Sequence, residues 1–121
     1  WRKIASESCK QCGLAAIPEI HETTDLKNIL SDTSAYDGIL IPTLAVPTQK
    51  LGEALKKTRK TRWLALVGPE GDFTEREVAL AVSQGAVPVS LGQLVLRSET
   101  AVIYLLSAIN FFYGNREENP R

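Results

Sequence analysis

The sequence predicts an α/β domain: a mostly parallel sheet with helices on both faces. Two observations predict it. Apolar runs rich in branched residues at 38–45, 62–67 and 86–91 have strand length and are bounded by proline or glycine. The segments around them place apolar residues at helical spacing. Strands joined by helices pair in parallel, because an antiparallel neighbour would need only a tight turn. The 121 residues fit one domain, which buries roughly two-thirds of its unfolded surface. With 44% hydrophobic and 23% charged residues and no low-complexity stretch, the chain is expected to fold rather than remain disordered.

Residues 1–13 form the first expected helix, with Ile4, Ala5, Ser8, Cys9 and Cys12 on one side and Gly13 as its stop. Ile17-Pro18-Glu19-Ile20 is extended, since proline disfavours helix for itself and the residue before it. Residues 24–31 form a short helix with Leu26, Ile29 and Leu30 inward. The strand at 38–45 ends around Pro42 and Pro47, and a basic helix follows over 49–58. The strand at 62–67 closes at Gly68-Pro69. Thr74-Glu75-Arg76-Glu77 has the capping-box pattern, so a helix starts there and runs to Gln84, with Gly85 ending it. After the strand at 86–91, an apolar helix over 98–113 closes the fold, and the tail at 116–121 is expected to fray.

Two loops carry more chemistry than connectors need, and both follow strands, where ligands sit in parallel sheets. In Val67-Gly68-Pro69-Glu70-Gly71-Asp72-Phe73, the glycines permit close backbone approach and positive φ. On spacing alone, a plain strand-to-helix turn explains it equally well. In the segment from Ser90 to Ala101, Leu94 and Leu96 need cover, which an adenine ring would supply. Ser98 suits a helix cap, and Glu99 suits a helix start. Arg97 has no such local explanation.

In this order the two loops resemble the ribosomal-RNA uridine-N3 methyltransferase family of the knotted SPOUT superfamily. The family carries Gly-Pro-Glu-Gly followed by Ser-Leu-Gly-x-x-Ile-Leu-Arg-x-Glu-Thr-Ala. This chain has Gly68-Pro69-Glu70-Gly71 and Ser90-Leu91-Gly92-Gln93-Leu94-Val95-Leu96-Arg97-Ser98-Glu99-Thr100-Ala101. Trp1-Arg2-Lys3-Ile4 through Pro18-Glu19-Ile20 also resembles the family's first helix and turn. The resemblance implies a trefoil knot near the C-terminus, one of the few exceptions to the rule against threaded chains. It further implies S-adenosyl-L-methionine as cofactor, a homodimer with the active site near the subunit interface, and an RNA-binding barrel domain upstream. The absence of any Met makes Trp1 an expected cut point within a longer polypeptide, which agrees with an upstream domain. Asp72 departs from the family, which often has glycine there, and Leu14 follows Gly13 where the family has arginine. The lost arginine bears on RNA contact or catalysis more than on cofactor binding.

The resemblance assigns cofactor contact to Val67, Gly68, Pro69, Glu70, Gly71, Leu91, Gly92, Leu94 and Leu96, joined by Pro42 and Thr43 from the earlier strand's end. Uridine N3 loses a proton on methylation, and negative charge spreads to the flanking carbonyl oxygens. Arginine cannot be the base, because the guanidinium keeps its proton in proteins, but its fork of donors can stabilise that anion. Arg97 is assigned this role, and Glu99 either orients it or takes the proton. A structural ion pair is the competing explanation. Lys56, Lys57, Arg59, Lys60 and Arg62 are candidate phosphate contacts, or else a solvated basic face.

Fourteen basic and fourteen acidic residues cancel, so RNA is not held by bulk charge, though a basic patch is permitted. Neither a membrane span nor a signal peptide is recognisable. Two cysteines do not make a disulfide scaffold, so a reducing, cytoplasmic compartment is expected. Cys9 and Cys12 have metal spacing without a second pair and His21 is isolated, so no metal is expected. Two other functions fit the residues less well. One is a knotted methyltransferase for another RNA position, such as a ribose 2′-hydroxyl. The other is a non-catalytic binding or assembly module.

Overall fold

The computed structural model describes residues 2–4, 6–7, 18–57, 62–93 and 95–118, the last four as backbone only. Residues 2–4 and 6–7 are helical, and 18–25 take neither helix nor strand. The Cys9/Cys12 pair, Leu14, Arg59, Lys60 and Leu94 lie outside the described residues.

Helix α1 (Leu26–Leu30) is shorter than the periodicity predicts, and Asp25 at its start makes no side-chain cap. Leu30 is buried and Leu26 packs against the core, whereas Ile29 is 37% exposed. Residues four apart share a helix face, which leaves Ile29 at the edge of so short an element. Strand β1 (Gly38–Pro42) is buried through Ile41. Its side chains alternate: Ile39 and Ile41 join one hydrophobic cluster, and Leu40 joins the other.

The basic segment begins differently from the expected helix. Gln49–Lys50 form a two-residue strand, β2, before α2 (Leu51–Lys56). Pairing with Val89 and Ser90 of the neighbouring strand satisfies the extended backbone of these two residues. On α2, Leu51, Ala54 and Leu55 are buried at helical spacing. Strand β3 (Trp63–Ala65) is flanked by further hydrogen bonds to β1. Asp37 N donates to Arg62 O at 2.7 Å, and Leu66 N to Leu40 O at 2.9 Å.

Helix α3 (Glu75–Ser83) starts at the expected capping box, with Glu77 N donating to Thr74 Oγ1 at 3.1 Å and Thr74 N to Glu77 Oε1 at 3.4 Å. Gly85 leaves the helix at φ +96°, a left-handed conformation that glycine adopts without strain. Strand β4 (Ala86–Ser90) leads through the second loop to α4 (Ser98–Glu118). That helix outlasts the expected end near Tyr113, so the tail from Arg116 does not fray at once. Arg116, Glu117 and Glu118 are good helix formers, and the next breaker is Pro120.

The four strands among the described residues pair in the order β2-β4-β1-β3, every pair parallel. One face packs Ile39 and Ile41 against Leu30, Phe73, Val78 and Ala81. The other packs Leu40 and Val89 against Leu51 and Leu55 of α2 and Leu105 of α4. The parallel sheet covered on both faces is therefore the architecture the alternating pattern predicts.

Candidate functional site

Strands β1, β3 and β4 run parallel, so their carboxyl ends open on one side, and the three following loops converge there. The middle loop makes a tight turn, with Asp72 N donating to Pro69 O at 2.8 Å. Asp72 then takes φ +66°, the only non-glycine at positive φ among the described residues. Aspartate tolerates this conformation better than most side chains. Its Oδ2 accepts from Thr43 Oγ1 at 2.9 Å and from Leu44 N at 2.6 Å, and its Oδ1 accepts from Phe73 N at 2.6 Å. The loops after β1 and β3 are thus joined through one side chain.

The third loop is tied in elsewhere. Ser90 Oγ accepts from Gly92 N at 3.2 Å, and Gly92 sits at φ +112°, where glycine avoids strain. At the start of α4, Ser98 Oγ donates to Gly68 O at 2.7 Å, locking the helix start to the Gly-Pro-Glu-Gly turn. A Cβ on Gly68 would meet the Phe73 ring at 3.1 Å and its backbone nitrogen at 3.2 Å, so this position holds the backbone close to a buried aromatic.

These loops enclose a cleft with about 580 Å³ of empty space, part of it open to solvent. Of the residues expected to contact a cofactor, Pro42, Thr43, Val67, Gly68, Pro69 and Glu70 line it. Leu91, Gly92 and Leu96 line it from the third loop. Gly71 does not; it serves the turn on the exposed side. Leu44, Asp72 and Val89, which the sequence does not single out as cofactor contacts, also line the cleft, as do Val95, Ser98 and Ala101 of the later signature. Val95 lies inside the later signature and is 76% exposed at the rim, a signal that was available beside Leu94 and Leu96. The walls are mostly apolar. Among the described lining residues the charged groups are two carboxylates, Glu70 and Asp72, with no lysine or arginine.

Arg97 and Glu99 are exposed, and neither lines the cleft. Arg97 contributes its carbonyl to Ala101 N at 2.8 Å, and no ion pair joins Arg97 to Glu99. Lys56, Lys57 and Arg62 are exposed, and Lys56 meets Glu53 at 4.0 Å in a solvent-screened pair of little energetic consequence. His21 is exposed with Nδ1 3.8 Å from Glu19, and the described residues hold no cluster suited to a metal. No helix among them is long and apolar enough to cross a membrane.

The family model of the RNA methyltransferase domain matches residues 1–110. The chain is 30% identical over 118 residues to ribosomal RNA small subunit methyltransferase E of Bacillus subtilis, covering 92% of this chain and 45% of that protein. It is 29% identical over 117 residues to the protein of the same name from Buchnera aphidicola (Schizaphis graminum), covering 95% and 46%. A Neisseria gonorrhoeae ribosomal RNA small subunit methyltransferase E bound to S-adenosyl methionine superposes with a TM-score of 0.81 at 27% identity, over 93% of this chain and 46% of that one. A Legionella pneumophila protein solved with bound SAM gives 0.80 at 32% identity, over 91% and 44%. The chain thus spans less than half the length of each of these relatives.

Proposed function

Because the chain belongs to the RNA methyltransferase domain family, we propose that it is the cofactor-binding part of an S-adenosylmethionine-dependent enzyme that methylates N3 of a uridine in small-subunit ribosomal RNA. The observation that carries this reading is the convergence of three loops on one cleft at the carboxyl ends of parallel strands. The cleft suits the cofactor chemically. Val67, Leu91 and Leu96 offer apolar cover for adenine, and backbone polar groups of the turns at Gly68 and Gly92 lie beside them. The two carboxylates without a lining cation favour a ligand that carries net positive charge.

When bound, S-adenosylmethionine supplies an electrophilic methyl group for in-line displacement. The chain's own residues position the reactants and manage charge. Thr43, Val67, Gly68, Leu91 and Leu96 hold the cofactor. Arg97, at the head of α4, directs its fork toward the uridine oxygens that gain negative charge as N3 loses its proton. Glu99, one position past Ser98, orients that fork or accepts the proton. Lys56, Lys57 and Arg62, with Arg59 and Lys60, contact phosphates of the RNA, and an upstream domain supplies further RNA binding.

Titration calorimetry with S-adenosylmethionine tests the cofactor assignment, for which saturable heat is expected; none would remove it. Mass analysis of nucleosides from small-subunit RNA treated with the full-length protein is expected to show N3-methyluridine. Ribose-methylated nucleosides would favour a knotted methyltransferase of different specificity.

The same reading includes a knotted C-terminal segment, a cytoplasmic setting and a homodimer. Support for the dimer comes from α4, whose Ile103, Leu106 and Phe111 are 66%, 60% and 70% exposed, flanked by Val102 and Tyr104. So much apolar surface along one helix marks an interaction face. Replacing Leu106 with glutamate is expected to shift the protein to monomer in sedimentation equilibrium without unfolding it. An unchanged dimer would place the interface elsewhere.

A further inference from the structure

A loop that lines a ligand cleft is only as well placed as the bonds that hold it. The loop after β1 brings Thr43 and Leu44 to the cleft wall, yet the ladder bonds of β1 end at Pro42 apart from one longer contact, Thr43 N to Val89 O at 3.3 Å. The shorter restraints come from Asp72, 29 positions from Thr43 and 28 from Leu44. Its carboxylate takes the Thr43 hydroxyl and the Leu44 N–H on one oxygen and its neighbour's Phe73 N–H on the other. Thr43 Oγ1 in turn accepts from Ala45 N at 3.0 Å, so the restraint continues around the bend. Glu70, the other carboxylate of the cleft, is exposed and makes no such bonds among the described residues.

We propose that Asp72 is a positioning residue for cofactor binding: its carboxylate sets the loop after β1 against the loop after β3 and so fixes the wall that Thr43 and Leu44 present to the ligand. This rests on the reading of the cleft as the cofactor site. The position makes two separate demands. The backbone at φ +66° admits Gly, Asn or Asp readily, and the donors around it require an acceptor. Glycine meets only the first demand; asparagine meets the first and part of the second, because a single amide oxygen can still accept from Thr43 and Leu44. Charge-assisted bonds of this kind are stronger than neutral ones, so the acid is the best occupant.

The test is the affinity for S-adenosylmethionine, measured by calorimetry well below the thermal midpoint of each protein. Asp72→Gly is expected to weaken binding about tenfold, the scale set by losing charge-assisted hydrogen bonds. Asp72→Asn is expected to recover part of that loss, and hydrogen exchange at the Leu44 amide is expected to quicken in the glycine variant. If Asp72→Gly does not fold, Asp72→Asn carries the test: weaker binding than wild type and faster exchange at the Leu44 amide are expected, and an unchanged affinity overturns the role. A residue that only supports the fold would lower the thermal midpoint and leave the affinity of the folded protein unchanged. That result, or an asparagine variant no better than the glycine one, overturns the role of Asp72 alone. A wild-type protein that binds no cofactor overturns the reading of the cleft, and the role of Asp72 with it.

Discussion

Replacing Arg97 with alanine is expected to lower turnover by roughly 10²–10³-fold while leaving cofactor affinity and stability nearly unchanged. The separation of effects follows from where the residue stands. Its side chain is exposed and lies outside the cofactor cleft, so its loss removes no wall of that cleft. It makes no ion pair among the described residues, so its loss strands no buried charge. Among the described residues its carbonyl bonds Ala101 N at the head of α4, and alanine keeps that carbonyl. An interaction made only with the developing anion lowers kcat and kcat/KM together. Arg97→Lys keeps the charge but loses the fork, so it is expected to recover only part of the rate. Steady-state kinetics of the full-length protein on small-subunit RNA decides the matter: an unchanged kcat in the alanine variant would assign anion stabilisation to another group.

The second large effect concerns the fold. Leu40→Ala is expected to destabilise the domain by about 2–5 kcal/mol, read as a fall in the denaturant midpoint at constant slope. Leu40 is fully buried on β1, a strand with hydrogen-bonded neighbours on both sides, and its side chain reaches the cluster containing Leu51, Leu55, Val89 and Leu105. Three elements therefore border the void. Domains of this kind are stable by only about 5–15 kcal/mol, so the loss is a large fraction of the total. A shift under about 1 kcal/mol would mean that α2 or α4 closes over the gap.

What the sequence made legible was local. The Thr74-to-Glu77 capping box and the Gly85 stop depend on neighbours a few positions apart, and both stand where the pattern puts them. Strands β1 and β4 were recognisable as continuous apolar runs because both their faces are packed, and β3 likewise places Leu64 on one cluster and Trp63 and Ala65 on the other. Strand β2 was not, since Gln49 and Lys50 have no strand-like composition and are extended only because β4 lies alongside. Ile29 was misplaced because a five-residue helix buries too narrow a face for three inward positions. At the site, Gly68 and Leu91 stood out through their motifs. In the sequence Asp72 reads only as a departure from the family's usual glycine, and its bonds to Thr43 and Leu44 are invisible there because they join loops far apart in the chain.

The strand order has a consequence for solubility. The outermost strands, β2 and β3, are the shortest in the sheet, with two and three residues. Exposed Lys50 sits on one of them and exposed Arg62 immediately precedes the other. Unpaired edges invite other chains to add strands, and short, charged edges resist that addition. The five-residue strands β1 and β4 are confined to the interior of the sheet.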